Sequence, residues 1–280
     1  MPTALVTGAA GQLAQDVLRS CAARGIEARG VTRAELDITD RAAVLDAVRS
    51  TNADVVVNCA AHTKVDLCEA EPDAAFAINA MGVRHLAEAV GAVGAHLIQV
   101  STDYVFSGDL DRPYHEWDRP DPRSVYGCSK LAGELEVPAG HTIVRTSWVC
   151  GEHGSNMVKT ILRLAAEHER LTFVADQIGH PTFTADLADA LVALVVDRRP
   201  GTFHLTNAGA VSWFEFAREV LRLRGLDPER VGPITTAELQ PPRPAPRPAN
   251  SVLDNRAWRL SGLAPLRDFR EPLAELLGRI

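Results

Sequence analysis

No apolar stretch in these 280 residues approaches the roughly 20 needed to span a bilayer. The opening Met1-Pro2-Thr3-Ala4-Leu5-Val6 has no basic region, apolar signal core or cleavage site. The location expected is therefore cytoplasmic, with no membrane partner. Positive charge is not in excess either. The formal net charge of -7 argues against nucleic acid as a partner and leaves any anionic ligand to be held by placed groups rather than by an overall field. Cysteine is sparse and odd in number: Cys21, Cys59, Cys68, Cys128 and Cys150 are scattered, with neither C-x-x-C nor Cys/His metal spacing. Reduced thiols and no metal site are the reading. What remains, 46% hydrophobic and 23% charged residues, is an ordinary globular composition with core enough for one large domain or two modest ones.

Through the first half, short apolar runs alternate with helical patterns, the signature of β-α-β units around a parallel sheet. Strands are expected over 4–6, 26–31, 54–58, 96–100 and 143–147, with helices over 17–23, 41–50 and 73–91 between them. A polar, proline-rich loop at 109–124 precedes a further helix. Beyond 150 the rhythm breaks into helices at 156–168, 184–196, 213–224 and 271–277, strands at 171–174 and 202–206, and a proline-rich linker at 241–248. The fold class expected is α/β: a Rossmann-type doubly wound parallel sheet over 1–149, with 184–206 packing back onto it, and a smaller, discontinuous substrate domain over 150–280.

Gly8-x-x-Gly11-x-x-Ala14 follows the first strand and opens a helix. That is the context in which small residues let the backbone approach a pyrophosphate while the helix N-terminus supplies free N–H groups. Gly8, Gly11, Gln12 and Leu13 are thus candidate dinucleotide contacts. About 20 residues on, where an acid would bind the adenosine ribose, stands Arg33; a guanidinium suits a 2′-phosphate, so NADPH is expected over NADH. Asp37 and Ile38 fall where the adenine would lie. The small residues Ala60 and Ala61, with His62, close the third strand beside the dinucleotide.

Tyr126 and Lys130 are four apart, on one helix face. A cation about 4 Å from a phenol, at an effective dielectric near 20, is worth roughly 4 kcal/mol, enough to bring a phenol that titrates near about 10 toward neutrality. Strand four ends in Ser101-Thr102-Asp103, so a hydroxyl and a carboxylate emerge at the same sheet edge. Thr102 is expected to hold a substrate carbonyl, with Asp103 positioning it or sharing the proton.

These motifs, with Leu36-Asp-Ile-Thr-Asp40, Ser101-Thr-Asp-Tyr-Val-Phe106, Tyr126-Gly-x-Ser-Lys-Leu-Ala-Gly-Glu134, Arg145-Thr-Ser-Trp-Val149, Asp176-Gln-x-Gly-x-Pro-Thr182 and Arg247-Pro-x-Asn-Ser-x-Leu-Asp254, resemble the dTDP-4-dehydrorhamnose reductase family of extended short-chain dehydrogenase/reductases along nearly the whole chain. The resemblance implies reduction of the 4-keto group of a dTDP-linked 6-deoxyhexose by NADPH, with NADH possible. Tyr126 would be the proton donor, Lys130 would also bind the nicotinamide ribose, and Thr102 would orient the ketone. It further implies Val65 and Trp148 at the sugar, and Asn156, Lys159, Gln177, Thr182 and Arg247 or Arg243 around the nucleotide diphosphate. Some members form metal-bridged dimers, for which Asp16, Asp186 and Glu275 are the counterparts; the chain is expected to be a monomer or a homodimer, with Mg2+ left open. Two alternatives stand beside the reductase. One is a nucleotide-sugar epimerase or dehydratase, although Tyr104 occupies the place where a dehydratase carries glutamate. The other is a non-catalytic dinucleotide-binding regulatory subunit.

Overall fold

In the computed structural model, which describes residues 2–280, five short apolar runs become parallel strands: β1 (Ala4–Thr7), β2 (Ala28–Val31), β3 (Val55–Asn58), β4 (His96–Thr102) and β5 (Thr142–Thr146). A sixth strand, Gly201–His204, adds in parallel beside β5, and across the sheet the order is β2, β1, β3, β4, β5 and that strand. All of its pairings are parallel. Strands covered on both faces read as near-continuous apolar runs, and Val55, Val56 and Val57 are fully buried. The chain runs from β1 outward to β2 and then crosses back to β3 on the other side. The carboxyl edge between β1 and β3 is therefore the switch point at which open α/β sheets bind ligands.

Helix α1 (Gln12–Ala23) packs against the helix Thr184–Asp197, and together with one face of the sheet they form the largest apolar cluster, including Val17, Leu187, Leu191 and Val195. A second cluster is built from later segments, with Ile161, Phe216, Val220 and Leu273 from three different helices, and Phe269 just before the last of them, at its centre. It carries three minimal sheets: Leu171–Val174 beside Val231–Ile234, Val149–Cys150 beside Thr182–Phe183, and Ile178–Gly179 beside Val211–Ser212.

The helix expected over 73–91 is interrupted. It comprises Pro72–Phe76, a π-helical turn at Ala77–Met81 and a longer helix, Gly82–Val93. The turn buries Asn79, whose side chain bonds the His62 backbone from both directions and reaches the Ser129 hydroxyl at 2.9 Å. A π-turn thus fastens the end of strand three to the helix that carries Tyr126.

Candidate active site

At the β1 turn Gly8 adopts φ +70, and a Cβ there would stand 2.8 Å from the Ala60 nitrogen. Only glycine fits both the backbone conformation and the close approach. Next to this crossing, α1 begins without a side-chain cap and with no acid in its first turn, so its free N–H groups and positive dipole end are open to an anion. Gln12 ties the loop to the second half of the chain: its side-chain amide donates to the Val149 carbonyl at 3.1 Å.

The tips of β4 and β5 supply the reacting groups. Thr102 Oγ1 donates to Asp103 Oδ1 at 2.9 Å and accepts from the Tyr104 backbone at 3.2 Å. The helix Val125–Leu135 starts at Ser124, whose side chain accepts from Gly127, and it brings Tyr126 onto the same cavity as Thr102. A buried ion pair fastens that helix to the sheet: Arg145 on β5 grips Glu134 through two nitrogens, the closer at 2.7 Å, and Glu134 also accepts from Ser101 at 2.5 Å. With its hydrogen bonds filled, such a pair fixes orientation more than it adds stability.

The electrostatics differ from the sequence expectation. Burial pushes the Tyr126 phenol above its ordinary value, the nearby Thr102 side chain opposes the shift, and the charges of Asp103, Tyr104 and Cys68 add to it. Lys130 spends its ammonium on the Val100 carbonyl at 2.7 Å, and burial lowers it to about 8. The lysine thus does not pull the phenol toward neutrality: desolvation dominates the phenol, and the ammonium is turned to the Val100 carbonyl. Asp103 is raised to about 6, again chiefly by burial, with the hydrogen bond from Thr102 pulling the other way.

These groups open on one continuous cavity of about 690 Å³. Gly8, Gly11, Gln12, Leu13, Arg33, Asp37, Ile38, Ala60 and Ala61 line it at the glycine-loop end, and Thr102, Asp103, Tyr126, Lys130, Val65 and Trp148 at the other. Arg33 is largely exposed at the rim and sits 3.4 Å from Asp37. Trp148 has φ +44, unusual for a bulky residue, and its ring stacks on Trp213 with centroids 3.5 Å apart. Gly179 lies beneath it, where a Cβ would come within 2.7 Å of the indole.

Seven of the expected residues stand off the lining. His62 turns its ring to the Cys68 thiol at 3.4 Å. Asn156 caps the helix Met157–Glu167 and bonds the Gly151 carbonyl, Gln177 donates to Thr236, and Thr182 is fully buried in a two-residue strand. Arg247 is held by Asp66 through contacts of 2.5 and 2.8 Å, with Arg243 3.6 Å from the same carboxylate. Lys159 caps the carbonyls of Glu152 and Gly154. The segment 241–248, a linker by composition but a binding loop by the resemblance, is docked onto the helix Val65–Ala70 at the cavity's edge. The three acids considered for a metal are otherwise engaged: Arg267 bridges Asp186 and Glu275, and Asp16 bonds Thr184. Among the described residues no group of three or more His, Cys, Asp or Glu is placed to hold a metal.

Other lining residues have no binding or catalytic role in the expectations from sequence. Tyr104, Thr146 and Ser147 lie within motifs quoted above and could have been found from their places at the strand tips. Trp213 follows a capping box far along the chain, and no local signal links it to Trp148.

Residues 2–280 match the family model described as RmlD substrate binding domain. The chain belongs to this family. Among RmlD-family relatives, the dTDP-4-dehydrorhamnose reductase of Streptomyces griseus is 49% identical, over 98% of this chain and 92% of that protein. The dTDP-4-keto-6-deoxy-D-glucose reductase of Streptomyces niveus is 40% identical, over 97% and 95%. The crystal structure of dTDP-4-dehydrorhamnose reductase from Bacillus anthracis in complex with NADP superposes with a TM-score of 0.95 at 38% identity, covering 100% of this chain and 99% of that one. The Rossmann-type architecture described above is the RmlD-family fold. No helix among the described residues is long and apolar enough to cross a membrane.

Proposed function

We propose that this chain reduces the 4-keto group of a dTDP-linked 4-keto-6-deoxyhexose with NADPH, as its dTDP-sugar reductase relatives are named for doing. The observation that carries the reading is convergence. Thr102, Tyr126 and Lys130 meet at one end of the cavity whose other end is the uncapped start of α1 and the Gly8 turn. The cradle suits a dinucleotide, since a Cβ at Gly8 would fill it, and Arg33 at the rim suits a 2′-phosphate.

When bound, the reduced nicotinamide supplies the hydride that adds to the carbonyl carbon. Tyr126 releases its phenolic proton to the carbonyl oxygen, so that a C=O bond becomes an alcohol. Thr102 orients the ketone by hydrogen bonding, and Lys130, freed from the Val100 carbonyl, turns to the ribose hydroxyls and supplies positive charge beside the phenolate. Val65 and Trp148 form the apolar wall for the deoxysugar. On this reading Arg247 and Arg243 leave Asp66 for the substrate diphosphate, while Asn156, Gln177 and Thr182 shape the wall from behind. We read residues 1–149 with 184–206 as the dinucleotide-binding part and the remainder as the sugar-binding part, in a monomer or homodimer of the cytoplasm.

A dehydratase needs a general base next to Asp103, and burial raises Tyr104 there well above its usual range. A regulatory subunit has no physical reason to keep a lysine buried beside a phenol. The test is loss of reduced-nicotinamide absorbance with purified protein, NADPH and a dTDP-4-keto-6-deoxyhexose. Tyr126→Phe is expected to lower turnover by about two to four orders of magnitude. Undiminished turnover in that variant removes the proton donor; no turnover by the unmodified chain with any nucleotide-linked keto sugar removes the reading.

A further inference from the structure

Thr146 closes β5 in register with Thr102 at the end of β4. The residue lines the cavity and is 4% exposed, and its hydroxyl has no hydrogen-bond partner among the described residues. The neighbouring hydroxyls are all engaged: Ser101 with Glu134, Thr102 with Asp103, and Ser147 with the His180 carbonyl at 2.7 Å. A buried hydroxyl with no partner bears its desolvation cost without return, and the residue that carries this one belongs to the cavity's lining.

Paired residues of adjacent parallel strands put their side chains on one face of the sheet, about 4.8 Å apart. Thr146 therefore stands one strand from the threonine that orients the ketone. The carbon giving the hydride must come within about 3–3.5 Å of the ketone carbon. A dinucleotide anchored at Gly8 crosses the carboxyl edge of the sheet, so its ring is the part that reaches the strand tips, whereas the sugar meets the Trp148 and Trp213 stack. We propose that the Thr146 hydroxyl holds the carboxamide of the nicotinamide ring, the polar substituent adjacent to the hydride-bearing carbon. That contact fixes the ring's rotation about its ribose bond and hence which face is turned to the ketone. Thr146 is thus a cofactor-orienting residue, a role that rests on the functional reading above.

The test is titration calorimetry of Thr146→Val, which keeps the β-branched shape and removes the hydroxyl, and of Thr146→Ser, which keeps the hydroxyl. Three probes are used: NADP+, 2′-phospho-ADP-ribose, which lacks the nicotinamide, and dTDP. Thr146→Val is expected to weaken NADP+ about tenfold, the effect of one hydrogen bond, while binding the other two probes within twofold of the unmodified chain. Thr146→Ser stays near the unmodified chain with all three. Without added ligand the valine variant melts no lower, because no internal hydrogen bond is lost. Unchanged NADP+ affinity overturns the proposal; so does equal weakening of 2′-phospho-ADP-ribose, and so does a loss confined to dTDP, which assigns the hydroxyl to the substrate. Thr146→Ala replaces the valine variant if that one fails to fold. Binding needs no turnover, so failure of the keto-sugar assay and failure of this contact are read separately.

Discussion

Burial raises the Asp103 carboxyl to about 6, while in the unfolded chain it titrates near about 3.9. Between those values the folded protein binds more protons than the unfolded one, so stability falls as pH rises through the window and the whole cost is present above about 6. That difference corresponds to roughly 3 kcal/mol, a large fraction of the stability of a domain. Asp103→Asn is therefore expected to be more resistant to urea than the unmodified chain at pH 8 and to lose most of the difference near pH 4. Equal denaturation midpoints at both pH values would show that the carboxyl is not under this strain. Chemistry of this kind is only half legible in a sequence. The identities and spacing of Thr102, Tyr126 and Lys130 point to proton transfer, but spacing carries no information about burial. The direction in which Tyr126 is shifted accordingly comes out opposite to the expectation for an isolated phenol and ammonium.

The helix Val125–Leu135 owes its start to Ser124, which has extended backbone angles and a side chain accepting from Gly127 at 3.1 Å. A serine cap of this kind contributes about 1 kcal/mol. Ser124→Ala is expected to lower the melting temperature by roughly 2–4 °C in a chain of this size, with KM for the keto sugar raised more than for NADPH, because Tyr126 lies in the first turn. A melting temperature unchanged within a degree would mean that packing against the π-turn, not the cap, holds this end. At this scale, legibility tracks length. Leu171–Val174, Thr184–Asp197 and Arg270–Leu277 fall within a residue of expectation. The pairings of Val149–Cys150 and Ile178–Gly179 are too short to show a period of two. Pro233 hides the strand Val231–Ile234, which is possible only because a two-stranded sheet is all edge. The interrupted helix at Ala77–Met81 has no local marker either, since its purpose is the long-range contact of Asn79 with His62 and Ser129.

For the molecule as a whole, the alternation of short strands and helices is enough to indicate the parallel sheet and the switch point, because both follow from chain order. The stack of Trp148 on Trp213 and the docking of Arg247 on Asp66 join segments far apart in sequence, and no pattern in either segment names its partner. The same long-range burial governs acid stability. His96, His180 and His204 each sit in the interior, with folded pKa values lowered by burial to about 4, 4 and 3. Each makes a hydrogen bond: His96 with Thr142, His180 with Thr206 and His204 with the Tyr114 carbonyl. Their stabilising contribution is complete above the unfolded value near about 6.5 and is lost as pH falls toward the folded values. At roughly 3–5 kcal/mol each, the three together exceed the ~3 kcal/mol that Asp103 returns over the same range. The protein is therefore expected to unfold cooperatively in acid between about pH 6 and pH 4, with a net uptake of about two protons, the three histidines taking up about three while Asp103 releases about one. Far-UV circular dichroism against pH measures the transition, and the pH dependence of the urea midpoint gives the proton count. His96→Gln, which keeps a hydrogen-bonding group for Thr142 and cannot ionise, is expected to move the midpoint to lower pH and reduce the uptake by about one proton. Should that variant unfold at the same pH with the same uptake, His96 is not among the groups that open the fold.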